Sequence, residues 1–311
     1  MKHIILALLG SNILHREELV RRILISFPSM KVVPLTSFTI SESFSRIIFI
    51  SNEKQLAELT RHSKNVVGIF LRQPGEELLS SELFKHQLVD DGNLQKMVAQ
   101  IAGITFREAE IKVTTIDGTA VSGKTTTAER LAIHTKATLV SHEYVVRSFI
   151  YEIAVRRGLR LNEKDLVQIL QILEEKINPW DINKNKEELY TRAVTSRFNE
   201  WMHSPLIQES VNWVMLKAYT LNTDLVVDGI GMGIHPFPFA NHKFFLNCKR
   251  RERAQRLSAQ NALEPVRNEE LLFKKDTMQL KLVYPFDVVH VDSGGQQNET
   301  FKKVITSLKA A

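Results

Sequence analysis

Short runs of apolar, often β-branched residues recur along the chain, separated by longer stretches in which apolar positions return every three or four residues. Ile4 to Leu9, Ile47 to Ile50 and Val66 to Leu71 follow the first pattern and predict buried strands. Arg16 to Ser26, Glu53 to Thr60 and Asn93 to Ile101 follow the second and predict helices. Strands and helices of this size in alternation argue for a parallel sheet. The pattern lapses between residues 103 and 111, where Phe106-Arg-Glu-Ala-Glu-Ile-Lys112 is charged, and a new β-branched strand starts at Val113. Two domains are therefore expected, a smaller α/β domain over 1–108 and a larger one over 109–311.

In the larger domain the same reading predicts strands at Val113 to Ile116, Leu225 to Val227, Lys243 to Leu246 and Val288 to Val291. Helices are expected at Lys124 to Lys136, Lys186 to Trp201, Pro205 to Thr220, Lys249 to Gln260 and Glu299 to Leu308. Leu166, Ile169, Leu170, Leu173 and Ile177 have the spacing of one more amphipathic helix. No internal repeat or low-complexity stretch interrupts the pattern.

Composition changes this picture little. In 311 residues, 43% are hydrophobic and 24% charged, which excludes disorder and collagen-like repetition. A formal charge of +6 suits phosphate-bearing ligands, nucleic acid included, although a solvated surface gives the same count. The single cysteine, Cys248, excludes an intramolecular disulfide and a cysteine-based zinc cluster. The run from Ile4 to Leu9 is too short for a membrane span, and the expectation is a cytoplasmic chain without membrane attachment. The histidines show no zinc spacing.

Candidate chemistry concentrates at Ile116-Asp-Gly-Thr-Ala-Val-Ser-Gly-Lys-Thr-Thr126, which satisfies G-x-x-x-x-G-K-[ST]. Phosphate oxygens must be met by successive backbone amides. Gly118 and Gly123 therefore supply conformational freedom, and Thr119, Ala120, Val121 and Ser122 form the wall between them. The helix that follows aims its positive end at the anion. Lys124 can bridge the β and γ phosphates of ATP, and the Thr125 hydroxyl, with Thr126 beside it, can reach Mg2+.

Two further segments fit that reading. Leu225-Val-Val-Asp-Gly229 is an apolar strand ending in an acid, which puts Asp228 at the mouth of a parallel sheet where it can hold magnesium or face the acceptor. The bland alternative is an Asp-Gly turn. In Lys249-Arg-Arg-Glu-Arg-Ala-Gln-Arg256, Lys249, Arg253 and Arg256 share one helical face while Arg250 and Arg251 point elsewhere. Arg253 is the residue expected to neutralise charge on a phosphoryl group in transfer, against the alternative of a solvated basic face.

From about Val113 to the C-terminus, these blocks resemble the cytidylate kinase family of nucleoside monophosphate kinases. The likeness also includes Leu225-Val-Val-Asp-Gly-Ile-Gly-Met-Gly233, Phe237-Pro238, Phe244-Phe-Leu-Asn247 and Val288-Val-His-Val-Asp-Ser293. The resemblance implies a parallel-sheet P-loop kinase fold with helical acceptor-binding and lid segments, and transfer of the ATP γ-phosphoryl to a nucleotide. It further implies that Arg147 binds the acceptor phosphate, that Arg256 and Asp228 line the acceptor side, and that Leu272 to Lys281 is the lid.

Departures from the family pattern are equally plain. Ile230-Gly231 stands where the family has an Arg-Asp pair on the cytosine side of the acceptor, and His142-Glu143 replaces a small Ser-Gly pair. The lid keeps only Lys274, Lys275, Asp276 and Lys281 of its usual arginines and aspartates, and the usual acceptor-region insert is missing around Asn178 to Asn185. Cytosine specificity is therefore not expected. In the first domain, Arg46 to Leu56, Val66 to Gly75 and Val89 to Leu94 resemble the later strands of phage-type deoxynucleoside monophosphate kinases. There Leu8-Leu-Gly-Ser-Asn12 lacks the Gly-Lys-Ser/Thr ending, so this domain is read as a degenerate P-loop-like unit serving dimerisation, regulation or substrate capture.

The leading expectation is an ATP- and magnesium-dependent nucleotide kinase, with a homodimer through the first domain as one expected assembly. Two alternatives stand beside it. One is phosphorylation of another acceptor, such as a hydroxymethylated base in DNA. The other is a nucleotide-binding regulator that has lost turnover.

Overall fold

The computed structural model describes residues 5–9, 19, 22–24, 26–27, 31–32, 46–50, 53–62, 66–72, 75, 84, 86–89, 91–159, 169, 172, 175–182, 186–201, 204–261, 268–270, 272–273, 276 and 286–310. The chain divides into two compact units, Met1–Ile111 with Tyr219–Asn222, and Lys112–Ala218 with Thr223–Ala311.

The first unit is built on a parallel sheet of strands β1 (Ile5–Leu9), β2 (Lys31–Val32), β3 (Arg46–Ile50), β4 (Val66–Arg72) and β5 (His86–Val89), in the order β2-β3-β1-β4-β5. Helix α1 (Glu53–His62) buries Leu56 and Leu59, one turn apart, as an amphipathic stripe must. In β4, Val67, Ile69, Phe70 and Leu71 are all buried, the continuous apolar run of a parallel strand covered on both faces. Leu19 and Ile23, from the predicted Arg16 to Ser26 helix, and Phe27 just after it are fully buried. The Leu8 to Asn12 segment lies outside the described residues beyond Leu9.

Helix α2 (Leu94–Glu108) corrects the predicted end at Ile101. The Asn93 side chain caps its start by accepting from Lys96 N at 3.0 Å. Its last turns bury Ile104 and Phe106, and Thr105 Oγ1 donates to Ile101 O at 2.8 Å, so its buried hydroxyl is satisfied within the helix.

The second unit holds a parallel sheet of β6 (Val113–Gly118), β7 (Thr138–Ser141), β8 (Leu225–Asp228), β9 (His242–Asn247) and β10 (Val289–Asp292), in the order β10-β9-β6-β8-β7. Register pairs Ile116 with Asp228 on one side and with Phe244 on the other. The carboxyl ends of the central strands therefore lie side by side, the place where ligands bind in open α/β sheets. Helices α3 (Lys124–Thr135), α4 (His142–Ile150), α5 (Lys186–Leu189), α6 (Arg192–Trp201), α7 (Pro205–Leu216), α8 (Arg250–Asn261) and α9 (Gln297–Ala310) belong to this unit. Ala128 and Leu131 of α3 pack with Ile116, Val226, Phe244, Leu246, Val291 and Val304 in one core beneath the phosphate loop. Truncating a leucine buried as completely as Leu131 costs about 2–5 kcal/mol.

Several sequence expectations change here. Strand β7 was not predicted: it is a four-residue edge strand whose first two residues are half-buried. The single helix expected over Lys186 to Trp201 is broken at Tyr190–Thr191, and α6 starts with Thr195 N donating to Thr191 O at 2.9 Å. The helix expected to Thr220 ends at Leu216 and tightens into a 3-10 turn, Lys217–Leu221. Of the stripe from Leu166 to Ile177, Ile169 and Ile177 are buried, while Leu166, Leu170 and Leu173 lie outside the described residues.

Candidate active site

At the end of β6 the backbone turns through two positions that only glycine fills without strain. Gly118 has φ +150°, and a Cβ there would run into the Leu246 carbonyl of β9 and lie 2.9 Å from Ser122 Oγ. Gly123, at φ +92°, precedes α3 and gives it no side-chain cap, so its first N–H groups stay available to an anion. Val121 between them sits at φ +62°, a conformation worth about 1–2 kcal/mol of strain for a β-branched residue. Strain of this kind persists where the surroundings over-determine it, which is common in ligand-binding loops. Ser122 N donates to Thr119 O at 3.2 Å, while Thr119 Oγ1 and Ser122 Oγ are buried without a hydrogen-bond partner.

Lys124 folds back over this loop, its Nζ donating to Thr119 O at 2.9 Å. Burial pushes its pKa down, and the negative charges of Asp228, Glu143 and Asp117 oppose that shift. Thr125 Oγ1 donates to Asp228 Oδ2 at 2.6 Å across the gap between α3 and β8. Burial raises the Asp228 pKa against the hydrogen bond from Thr125 and the charge of Lys124. Its other oxygen, Oδ1, is buried and unpartnered. A hydroxyl beside a carboxylate with one spare oxygen fits a hard divalent cation such as magnesium, which takes few protein donors and completes its shell with phosphate oxygens and water. Among the described residues no group of three or more His, Cys, Asp or Glu offers a metal cage.

Asp117, given no role by the sequence, organises the loop after β8. Its two oxygens accept from Met232 N and Gly233 N, each at 2.9 Å, and burial raises its pKa to about 6 despite these bonds. The loop carries Ile230-Gly231 past His142: a Cβ on Gly229 would lie 2.6 Å from His142 Cβ. Burial lowers the His142 pKa to about 4, so the ring is neutral at pH 7, and its Nε2 has no partner.

Two of the arginines predicted from sequence, Arg253 and Arg147, already hold carboxylates. Arg253 is 2% exposed; Nε donates to Cys248 O at 3.0 Å, Nη1 to Ala120 O of the phosphate loop at 2.9 Å, and Nη1 and Nη2 grip Asp276 at 3.0 and 2.5 Å. Arg256 reaches Ser122 O at 3.5 Å and Ser293 O at 2.7 Å, so it braces the loop through its backbone. Arg250, expected to point elsewhere, joins the same aspartate through Nε at 3.3 Å, because a long side chain can reach around a helix further than its Cβ direction suggests. Arg147 lies against Tyr190 and Phe198, at 4.3 and 4.5 Å from the ring centroids, and Nε donates to Glu143 Oε1 at 2.8 Å. Of the lid residues, Asp276 is described, whereas Lys274, Lys275 and Lys281 lie outside the described residues. Asp276, kept in the sequence reading only as a lid residue, and Glu143 are the carboxylate partners of Arg253 and Arg147. The Glu143 contact was signalled by its i,i+4 spacing to Arg147.

A glycine-bounded loop after the central strand, a lysine opening the next helix and an aspartate closing the neighbouring strand define the class of P-loop kinases. Residues 114–293 match the cytidylate kinase family model, more than half of the chain, and the chain belongs to that family. It is 29% identical over 149 residues to the cytidylate kinase of Alkaliphilus oremlandii, covering 45% of this chain and 66% of that protein. With the cytidylate kinase of Anoxybacillus flavithermus it shares 30% identity over 163 residues, 49% of this chain and 70% of the other. With that of Deinococcus deserti it shares 27% over 211 residues, 63% of this chain and 97% of the other.

Proposed function

We propose that the second unit transfers the γ-phosphoryl of ATP to a nucleotide, with a ribo- or deoxynucleoside monophosphate as acceptor. The observation that carries this reading is the Lys124–Thr125–Asp228 cluster, whose buried, unpartnered Asp228 oxygen lies beside a strained phosphate loop at the sheet's carboxyl edge. ATP binds along Gly118, Thr119, Ala120, Val121, Ser122, Gly123, Lys124, Thr125 and Thr126. Magnesium, held by Thr125 and Asp228 together with the phosphates, supplies charge neutralisation when bound.

The chemistry asks little covalent participation of the protein. An acceptor phosphate oxygen forms the new P–O bond while the bond from the γ-phosphorus to the β,γ-bridging oxygen breaks, and ADP departs with that electron pair. A phosphate monoester dianion needs no general base for this. Lys124 stabilises charge on the transferred group, and Arg253 joins it after exchanging Asp276 for phosphate oxygens. Arg147 orients the acceptor phosphate. Ile230-Gly231 supports no cytosine contact, so the base preference is set elsewhere. The first unit, whose loop lacks the Gly-Lys-Ser/Thr ending, captures substrate, regulates or dimerises rather than catalyses.

One observation favours a second reading, a nucleotide-binding regulator without turnover: Arg253 and Arg147 each already hold a carboxylate. ADP release measured with ATP, magnesium and a panel of nucleoside monophosphates, with Lys124→Ala as the blank, separates the two. Turnover that the variant abolishes supports the kinase. ATP binding with no acceptor-dependent ADP supports the regulator and ends the kinase reading.

A further inference from the structure

Arg147 is held as an anion-binding fork. It is 8% exposed, its guanidinium lies 4.3 Å from the Tyr190 ring and 4.5 Å from the Phe198 ring, and Nη1 is spent on Leu189 O at 3.2 Å and Thr195 Oγ1 at 3.3 Å. What remains is the edge formed by Nε and Nη2, the pair of parallel donors that grips a phosphate or carboxylate with two bonds. Nη2 donates to no described residue, and Nε is taken by Glu143 at 2.8 Å. The Glu143 side chain is 44% exposed, so it can swing away from Arg147 into solvent. His142 beside it is neutral and adds no compensating charge.

We propose that Glu143 competes with the acceptor phosphate for the open edge of Arg147 and thereby sets the affinity and charge selectivity of the acceptor site. The proposal rests on the reading of Arg147 as the acceptor-phosphate ligand. A carboxylate brings one negative charge to the fork and a phosphate monoester two, so the monoester displaces Glu143 while singly charged or uncharged molecules do not. With no acceptor present, Glu143 keeps the buried guanidinium neutralised and fixed in orientation. The cost falls on acceptor binding, because the incoming dianion must both break the ion pair and approach a displaced carboxylate.

The test is Glu143→Gln in the full chain, which removes the charge and keeps a carbonyl able to accept from Nε. Steady-state kinetics with CMP, UMP, dCMP, AMP and GMP identify the acceptor that the natural chain phosphorylates. Calorimetry then compares that monophosphate with its nucleoside in both forms. The expected result is a KM and Kd for the monophosphate lower by roughly two- to tenfold, the scale of a partly exposed ion pair, with nucleoside affinity unchanged and kcat little altered. A monophosphate affinity that is unchanged or weakened while the natural chain turns over would overturn the role of Glu143 alone. Equal tightening of monophosphate and nucleoside would do the same. If neither form binds any of these monophosphates, the nucleotide-acceptor reading falls and the proposal falls with it.

Discussion

Replacing Asp276 with alanine leaves one of the most deeply buried charges in the second unit without its partner. In the native arrangement the Arg253 guanidinium, 2% exposed, holds both Asp276 oxygens at 3.0 and 2.5 Å, and its remaining contacts are the carbonyls of Cys248 and Ala120. Removing one member of a buried pair costs about 3–5 kcal/mol, because the other is left desolvated and uncompensated. The lower end applies here: the two carbonyls still accept from Arg253, and Arg250, 36% exposed, opens a route for water. A loss of about 3 kcal/mol reduces the folded-to-unfolded ratio by roughly two orders of magnitude. Denaturant unfolding followed by tryptophan fluorescence reads it selectively, since Trp180, Trp201 and Trp213 all belong to the second unit. Saturating ATP with magnesium should recover more stability in Asp276→Ala than in the natural chain, as phosphate oxygens take the vacated edge of Arg253. The double variant Arg253→Met with Asp276→Leu should regain most of the loss. A penalty below about 1 kcal/mol for Asp276→Ala, or a double variant no more stable than the single, would refute the reasoning.

Other predictions follow from the same geometry. Lys124→Ala should lower kcat by about 10²–10³ while leaving the denaturation midpoint close to native, because a buried amine whose pKa burial depresses contributes little to folding; a stability collapse would count against this. Asp228→Asn should abolish magnesium-dependent turnover yet match or exceed native stability, since burial already disfavours its charge. Asp117 and His142 impose opposite pH dependences. Asp117, raised from 3.8 to about 6, gives stability that is full below 3.8 and lost as pH rises through 6; His142, lowered from 6.5 to about 4, gives stability present above 6.5 and lost as pH falls through 4. Each is worth about 3 kcal/mol, so they offset each other between pH 4 and 6, and Asp117→Asn should unmask stability that rises with pH across that window. A flat profile in that variant contradicts the His142 assignment.

The phosphate loop was legible because its chemistry forces residue types at fixed local spacing. Gly118, Gly123, Lys124 and Thr125 read the same in one dimension as in three. Asp228 was legible because an apolar run ending in an acid marks a strand mouth, and its register beside Ile116 bears that out. Strand β7 was not legible: Thr138-Leu-Val-Ser141 is too short for a period, and its partner β8 lies far along the chain. The end of α2 was misread because Gly103 and the charges after Phe106 look like a boundary, whereas burial of Ile104 and Phe106 continues the helix. The carboxylates on the two arginines divide the same way. Glu143 stands one helical turn from Arg147 and its contact was available from spacing, while Asp276 meets Arg253 only through the tertiary fold.

The most direct test of the central claim is the 31P spectrum of ATP and magnesium incubated with the protein and the monophosphate panel, then with hydroxymethylated DNA. Loss of the γ-phosphoryl resonance matched by the paired signals of a new nucleoside diphosphate, absent with Lys124→Ala, is the result this account predicts. A new monoester signal on DNA, or an ATP spectrum unchanged with every monophosphate, would contradict it.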